Sequence, residues 1–298
     1  MTISPSLPPR EEFWWERNDL HYHGDRLQFA GHDVGGLAAE ANGPLYLYSL
    51  DRVAARLDTL LQALDTTECE HRVYYAMKAN RFAPLLQMMA RSGKCGVDIC
   101  SPNELDLALS CGFRANQISF TGTGVANRDL DRLIAHPELA INCDSIGMIR
   151  RIGEREPRRA IGIRVNPGLG TGYGDSALLT YAGARTTKFG IYREQWAEAL
   201  DMARRFDLKV TTLHFHVGCG YLDDQLASWG DAVASALSCI AELPDLEMVN
   251  VGGGLGLPHR EADRPLDLTR WSGVLRSHFS GTGLTVAVEP GDFLVKDA

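Results

Sequence analysis

The sequence predicts an α/β protein built as a (β/α)8 barrel of the TIM type. Apolar runs of strand length alternate with stretches of helical apolar spacing from residue 73 onward, which is typical of parallel strands joined by helices. Eight such runs fall within about 220 residues, as this barrel requires. A polar or glycine-rich cluster follows each run, where barrel enzymes carry their functional loops. The main alternative is an open, doubly wound sheet.

The individual elements follow from these patterns in chain order. The eight predicted barrel strands are Val73–Lys78, Gly96–Cys100, Gln117–Thr121, Leu139–Cys143, Ala160–Val165, Lys209–Val217, Glu247–Val251 and Leu284–Val288. The predicted helices between them are Pro84–Ser92, Asn103–Ser110, Arg128–His136, Ser145–Glu154, Arg193–Phe206, Gln225–Ala241 and Leu268–Phe279. Before the barrel, the spacing predicts a helix over 51–64 and short strands at Leu27–Ala30 and Leu45–Tyr48.

The composition excludes several classes of protein. The 298 residues carry a formal net charge of −8, which argues against a general binder of nucleic acid or of anionic membranes. No apolar run approaches the ~20 residues of a membrane span, and the first residues lack a signal-peptide pattern. The seven cysteines are scattered, with no CxxC pair, which favours reduced thiols over a disulfide framework or a zinc site. We therefore expect a cytoplasmic protein that acts on a small molecule.

The first predicted barrel strand is apolar and aromatic and ends in Lys78. A lysine at the end of a buried strand is costly unless it has a partner or a covalent role. The plain alternative is a lysine that reaches solvent at the strand end. The other strand ends favour the covalent role.

Three further clusters lie at the same end of the predicted barrel as Lys78. A glycine triplet follows the seventh strand, where barrels often bind phosphate through backbone N–H groups; it consists of Gly252, Gly253 and Gly254. Glu289 ends the eighth strand and His216 ends the sixth. The plain alternatives are a turn, a surface carboxylate and a structural histidine. No metal site is evident, because His214 and His216 lack a third ligand at suitable spacing.

An amine, a carboxylate and an imidazole beside an anion-binding loop match the needs of pyridoxal 5′-phosphate. Lys78 would bind the cofactor covalently, and the glycine triplet would hold its phosphate. Glu289 would keep the ring nitrogen protonated, and His216 would stack on the ring.

At these residues the chain resembles the fold-type III pyridoxal-phosphate decarboxylases, the group of diaminopimelate and ornithine decarboxylases with an alanine-racemase-like barrel. The resemblance runs from about Gly43 to Asp292. The segments that carry it are Tyr75-Ala76-Met77-Lys78-Ala79-Asn80, Gly96-Val97-Asp98-Ile99-Cys100-Ser101 with Glu104-Leu105, Arg164-Val165-Asn166-Pro167, Lys188-Phe189-Gly190, His216-Val217-Gly218-Cys219-Gly220, Gly252-Gly253-Gly254 and Glu289-Pro290-Gly291. The resemblance implies that Asp98 supports the cofactor lysine and that Arg164 lies near the ring. It implies catalytic roles for Lys78, His216 and Glu289.

Two residues depart from the family pattern. Cys219 stands where the family usually has a serine that donates to the phosphate, and a thiol is a weaker donor. Asp292 stands where the family commonly has an arginine, which in diaminopimelate decarboxylases helps to hold the distal carboxylate of the substrate. An aspartate suits an ammonium instead. We therefore expect substrate binding by Asp292, and a substrate of the lysine or ornithine type, L or D, with a distal amine and no distal carboxylate.

The alternatives are a diaminopimelate decarboxylase, an amino-acid racemase on the same barrel and a non-catalytic homologue that binds the cofactor. Racemases of this fold usually place an arginine at the ring nitrogen, so Glu289 argues against that alternative.

The resemblance also implies a domain organisation. Residues 1–42 would belong to a β-rich second domain, residues 43–292 would form the barrel, and residues 293–298 would begin the C-terminal part of the β-rich domain, the rest of which this chain lacks. In the family that domain supplies a catalytic cysteine and a tyrosine across a dimer interface. We therefore expect a homodimer, or a partner chain that supplies the domain. Apart from the resemblance, Gly168–Phe189 is the longest irregular stretch, and its length predicts either a lid or a disordered segment.

Overall fold

The computed structural model describes residues 13–41, 43–171 and 187–298. Most of the predicted lid over Gly168–Phe189 therefore lies outside the described residues. The chain divides into two compact units. The smaller unit comprises the described residues up to Ser49 together with Pro258–Asp263, and the larger comprises Leu50–Leu257 and Arg264–Ala298.

The smaller unit contains an antiparallel sheet of three short strands, β1 (Leu20–His23), β2 (Arg26–Phe29) and β3 (His32–Asp33), followed by helix α1 (Val34–Glu40). The predicted strand at 27–30 corresponds to β2. The predicted strand at Leu45–Tyr48 is wrong, because these residues have no regular structure. The assignment of residues 1–42 to a β-rich second domain stays a prediction.

The larger unit contains a closed barrel of eight parallel strands. They are β4 (His71–Ala76), β5 (Gly96–Ile99), β6 (Ile118–Thr121), β7 (Ala140–Cys143), β8 (Ala160–Asn166), β10 (Lys209–His214), β11 (Met248–Asn250) and β12 (Thr285–Val288). Their order is β10-β11-β12-β4-β5-β6-β7-β8, and pairing between β8 and β10 closes the ring. The short strand β9 (Ile191–Tyr192) adds to β8 outside it. This arrangement confirms the predicted barrel.

Helices connect the barrel strands and cover the outside of the sheet. They are α2 (Leu50–Asp65), α3 (Ala83–Ser92), α4 (Pro102–Ser110), α5 (Asn127–Ile134), α6 (Ile146–Arg155), α7 (Trp196–Arg205), α8 (Leu226–Leu237), α9 (Leu268–Phe279) and α10 (Asp292–Val295). Two serines that follow barrel strands cap the next helix: the Ser101 hydroxyl accepts from the Glu104 amide, and the Ser145 hydroxyl accepts from the Met148 amide. Each of these two helices begins within a few residues of the preceding strand. The short connections and their caps fix the position of the loops at the carboxyl ends of the strands.

Two kinds of buried side chain fill the larger unit. Apolar residues at helical spacing pack the helices onto the sheet; in α2 they are Val53, Leu57, Leu60 and Leu64. The barrel strands also carry buried polar side chains, which include Asp98, Ser119, Asn142, His214 and Asn250. Several of these groups are paired across neighbouring strands: Asn142 donates to Ser119 and Thr121, and both His214 and Asn250 contact Glu289. In the described part of the chain, no helix is both long and apolar enough to cross a membrane.

Candidate active site

Lys78 lies just beyond strand β4. The strand ends at Ala76, and Met77–Ala79 form one 3-10 turn, so the predicted strand end at Lys78 is two residues too long. The residue is exposed at this end of the strand. The protein atoms packed around the amine partly desolvate it, which lowers the pKa of Lys78. The nearby carboxyl groups of Asp98 and Glu289 act in the opposite direction and together outweigh this effect, so the pKa of Lys78 is raised. The amine is therefore a cation placed in the field of both carboxylates.

The segment of Glu289 contacts the segment of Lys78 directly. The amide of Ala76 donates to the carbonyl of Pro290 at 2.9 Å. A Cβ at Gly291 would lie 3.1 Å from the Cβ of Ala79, so the two backbones approach closely there. The sequence-predicted lysine and glutamate are thus held together by neighbouring strand ends, β4 and β12.

Glu289 is buried and bound by two side-chain donors. The His214 Nε2 lies 3.1 Å and 3.2 Å from its two carboxylate oxygens, and the Asn250 Nδ2 donates to Oε1 at 2.8 Å. Burial would raise the pKa of this carboxyl, but His214 and the charge of Lys78 lower the pKa to about 2. Glu289 is consequently ionised at neutral pH.

His216 lies two residues beyond β10, which ends at His214. The predicted strand through Val217 is therefore too long. The imidazole Nδ1 accepts from the Gly253 amide at 3.2 Å, so its ring proton is on Nε2. Burial and the nearby cations of Lys78 and Arg164 hold the pKa of His216 well below its usual range. A neutral imidazole is thus fixed against the glycine triplet.

The glycine triplet packs between the segment of His216 and the segment of Glu289. A Cβ at Gly252 would lie 2.5 Å from the Phe215 carbonyl oxygen, and one at Gly253 would lie 2.0 Å from the Glu289 carbonyl oxygen. Gly252 also has a φ of +71°, which favours glycine. Close backbone packing therefore requires glycine at both positions, whatever the triplet binds.

The backbone donors of the triplet are not equally available. The Gly252 amide donates to Asn250 Oδ1 at 2.9 Å, and the Gly253 amide donates to His216. Within the described residues the Gly254 amide has no acceptor, and Gly254 is also the one residue of the triplet that is half-buried rather than buried. Gly254 is thus the donor that remains open to an anion, while the phosphate role of the other two glycines stays a prediction.

Asp98 lies on β5, paired in register with Ala76 of β4. It is 2% exposed, and its Oδ1 has no hydrogen-bond partner among the described residues. Burial and the charge of Glu289 raise the pKa of Asp98 well above its usual range, against the opposing effect of Lys78. Asp98 is thus a buried carboxyl that resists ionisation, and its support of Lys78 stays a prediction.

Arg164 lies on β8 opposite His214 of β10. Its Nη1 lies 3.3 Å from Asp144 Oδ1, and its guanidinium lies 4.8 Å from the centre of the Phe189 ring. Asp144 also accepts from the Gly190 amide at 3.0 Å. Asp144 therefore connects Arg164 to Gly190, the residue that follows the predicted lid.

The two residues that depart from the family pattern lie at the edge of this cluster. Cys219 is exposed, and its Sγ lies 3.7 Å from His216 Nε2. Asp292 opens α10, and its Oδ2 lies 3.6 Å from Lys296 Nζ. The protein atoms packed around the Cys219 thiol and the charge of Asp292 raise the pKa of this thiol, so the two side chains lie within electrostatic reach of each other.

Sequence reasoning missed His214, Asn250 and Asp144 as residues of this site. The available signal was a polar residue at the end of an apolar strand or directly after it, next to a functional cluster. His214 is two residues before His216, Asn250 is two residues before the glycine triplet, and Asp144 follows the apolar end of β7.

The chain is similar to known proteins along most of its length. The family described as pyridoxal-dependent decarboxylase, pyridoxal binding domain, matches residues 50–296. The diaminopimelate decarboxylase of Methanothermobacter thermautotrophicus is 29% identical over 285 residues, which cover 91% of this chain and 65% of that protein. The diaminopimelate decarboxylase of Streptomyces coelicolor is 30% identical over 278 residues, which cover 90% of this chain and 60% of that protein. This chain thus spans less than two thirds of either relative.

The fold is also found in solved structures. The crystal structure of diaminopimelate decarboxylase from M. jannaschii in co-complex with L-lysine matches with a TM-score of 0.80 at 23% identity, over 93% of this chain and 67% of that chain. At this identity the likeness concerns the fold alone. The predicted family, its barrel and its pyridoxal cofactor are confirmed by these matches, and the chain belongs to the pyridoxal-dependent decarboxylases, over their pyridoxal-binding domain.

Proposed function

We propose that this chain carries the cofactor-binding part of a carbon–carbon lyase that decarboxylates a basic diamino acid. The observation that carries the proposal is the contact between the Lys78 and Glu289 segments, made through the Ala76–Pro290 hydrogen bond of 2.9 Å. It brings a cationic amine and an ionised carboxylate to one end of a barrel.

The residues present fit pyridoxal phosphate. The cofactor needs an amine to attach to, a carboxylate for the ring nitrogen and donors for the phosphate. Lys78, Glu289 and the open Gly254 amide supply these groups. The orphaned Oδ1 of Asp98 is a further buried polar atom that lacks a partner among the described residues. We infer that Arg164 and His216 lie beside the ring, since both act electrostatically on this cluster.

The bound cofactor would supply an electron-poor ring that accepts the electron pair left when CO₂ departs. This chain would do the rest. Lys78 would hold the cofactor and release it to the amine of the substrate. Glu289, ionised by its two donors, would keep the ring nitrogen protonated. The neutral imidazole of His216 would fix the plane of the ring.

We propose that the substrate carries a distal amine and no distal carboxylate. Asp292 is 44% exposed at its side chain, and its only ion pair among the described residues is the loose one with Lys296. A carboxylate at this position repels a second carboxylate and attracts an ammonium group. Lysine and ornithine, as either enantiomer, have this chemistry.

Diaminopimelate decarboxylation is the second candidate. It is favoured by the two relatives, which are diaminopimelate decarboxylases, and by the L-lysine found in the M. jannaschii enzyme. Racemisation is disfavoured by the ionised Glu289 at the ring nitrogen. A homodimer, or a partner chain that completes the site, and a cytoplasmic location belong to the same proposal.

The substrate proposal is tested by comparing CO₂ release from lysine, ornithine and diaminopimelate. We expect lysine or ornithine to be preferred, and we expect Asp292→Arg to lower that preference by roughly tenfold or more, because like charges across a site cost several kcal/mol. Asp292→Asn is the matched control, which removes the charge without reversing it and should fall between. Preference of the unmodified protein for diaminopimelate would contradict the substrate assignment, and exchange of enantiomers without CO₂ release would contradict the decarboxylase.

A further inference from the structure

We propose that His214 and Asn250 are positioning residues that hold the Glu289 carboxylate ionised and oriented toward the cofactor ring nitrogen. The role toward the cofactor rests on the proposed function, whereas the hydrogen bonds that support the inference are present in the protein without cofactor.

Three neighbouring strand ends bring these side chains together. His214 and Asn250 are paired in register on β10 and β11, and Asn250 is paired with Ala287 of β12, two residues before Glu289. The exposed fraction is 1% for His214, 0% for Asn250 and 6% for Glu289. Hydrogen bonds between side chains so shielded from bulk solvent are strengthened by the low local dielectric.

The imidazole of His214 serves Glu289 and no other described group. A carboxylate is only an acceptor, so Nε2, at 3.1 Å and 3.2 Å from its oxygens, must carry the ring proton. The opposite nitrogen, Nδ1, is buried without a hydrogen-bond partner in the described chain. The hydrogen bond to Glu289 is therefore the polar interaction that His214 makes among the described residues.

Asn250 connects Glu289 to the glycine triplet. Its Nδ2 donates to Glu289 Oε1 at 2.8 Å, and its Oδ1 accepts from the Gly252 amide at 2.9 Å. The two partners fix the amide orientation, because the Gly252 amide can only donate and the carboxylate can only accept. One side chain therefore sets the distance between the predicted phosphate loop and the predicted ring-nitrogen partner.

The other charged groups around Glu289 act on it differently from this pair. The positive charge of Lys78 favours the ionised form of Glu289, whereas Asp98 opposes that form. A charge acts over a distance and leaves the carboxylate free to rotate, while a hydrogen bond depends on direction. The donors of His214 and Asn250 therefore fix which way the two oxygens point.

The test measures the ionisation of Glu289 in the protein without cofactor. The ¹³C shift of the Glu289 carboxyl is followed from pH 7 toward acid in the unmodified protein and in His214→Phe. We expect the midpoint to rise by about one unit or more in the variant, because it loses a buried hydrogen bond to the charged form. His214→Gln, whose amide nitrogen can reach the place of Nε2, should restore the low midpoint. His214→Asn is too short to reach and should behave like the phenylalanine variant. Equal midpoints in all four proteins would overturn the inference.

A second variant covers the case in which His214→Phe fails to fold. Asn250→Asp is isosteric and keeps the acceptor for Gly252, but it places an acceptor against Glu289 and should raise the same midpoint. Asn142→Asp is the matched control, since Asn142 is equally buried at 2% exposed and donates to Ser119 and Thr121 instead. A shift of the same size in both aspartate variants would contradict the proposal.

With cofactor bound, the ¹⁵N shift of its labelled ring nitrogen gives a second readout. We expect His214→Phe to lose protonation of that nitrogen, with a fall in kcat of roughly tenfold and little change in KM. An altered Glu289 midpoint in a protein that releases no CO₂ from any amino acid would leave the positioning role standing and refute the proposed function. A normal release of CO₂ together with a Glu289 midpoint that His214→Phe leaves unchanged would support the proposed function and refute the positioning role.

Discussion

Two buried carboxyl groups, Asp98 and Glu289, have opposite ionisation behaviour within one cluster. Glu289 has two side-chain donors and stays charged, whereas Asp98 has an oxygen without a partner among the described residues and resists charge. Each carboxylate opposes the ionisation of the other, and the donors decide which of them keeps the charge. Paired groups with separated pKa values are typical of sites that move protons.

The raised pKa of Asp98 predicts a stability change with pH. The folded protein binds the Asp98 proton more tightly than the unfolded chain does. The contribution of Asp98 to stability therefore falls as the pH rises above the pKa that an aspartate has in the unfolded chain. Asp98→Asn should therefore gain stability relative to the unmodified protein as pH rises. The free energy of unfolding from urea titrations at pH 4.5, 6 and 8 measures this.

Asp297→Asn is a control of opposite sign. Its carboxylate binds Arg52 and Arg56, and these bonds lower the pKa of Asp297 although burial opposes them. The ionised Asp297 stabilises the protein when the pH is above the pKa of an aspartate in the unfolded chain, and this stabilisation is lost as the pH falls. Asp297→Asn should cost stability at pH 8 and less at pH 4.5. The same slope for both variants would contradict the assignment for Asp98.

At the scale of elements, the glycine triplet is a spacer between two strand ends. It allows the segments after β10 and β12 to approach until a Cβ at Gly253 would meet the Glu289 carbonyl oxygen at 2.0 Å. Gly253→Ala should destabilise the protein by roughly 1–3 kcal/mol, because a packed interior tolerates extra volume poorly. The midpoint of urea unfolding checks this.

Gly273→Ala is the matched control, because Gly273 lies inside α9 and an added methyl group there would have nothing within 4 Å. It should stabilise the protein by about 0.5–1 kcal/mol through helix propensity. Equal stability of the two alanine variants would show that the triplet does not space the strand ends.

The same elements show what the sequence could predict. The eight barrel strands are buried on both faces, so they read as apolar runs, and all eight can be predicted. The predicted strand ends at Lys78 and Val217 are misplaced, because the apolar pattern continues after the hydrogen-bond ladder has stopped. The short strands β1 and β3 have no apolar run long enough to recognise.

The site could be predicted in outline but not in its supports. Lys78, His216 and Glu289 stand at strand ends and can be recognised from position and resemblance. His214 and Asn250 can be noticed as polar residues in apolar strands, but their role cannot be predicted, because it depends on contacts 75 and 39 residues away in the chain. Such contacts exist only once the barrel has closed and brought β10, β11 and β12 side by side.

For the whole molecule, the central claim is that the barrel selects one amine for the cofactor. The chain has only five lysines, Lys78, Lys94, Lys188, Lys209 and Lys296. Lys94 binds Asp58 at 2.6 Å, Lys296 pairs with Asp292, and Lys209 begins β10 at the opposite end of that strand from His214. Lys188 lies over the ring of Phe189. The field of Asp98 and Glu289 reaches Lys78.

The most direct measurement is the position of the cofactor after borohydride reduction. The protein is incubated with pyridoxal phosphate, reduced, digested and mapped by mass spectrometry, with Lys78→Arg as the variant that keeps the charge and loses the attachment. We predict a single modified peptide that contains Lys78 and none in the variant. Modification spread over the other four lysines, or unchanged in Lys78→Arg, would contradict the account.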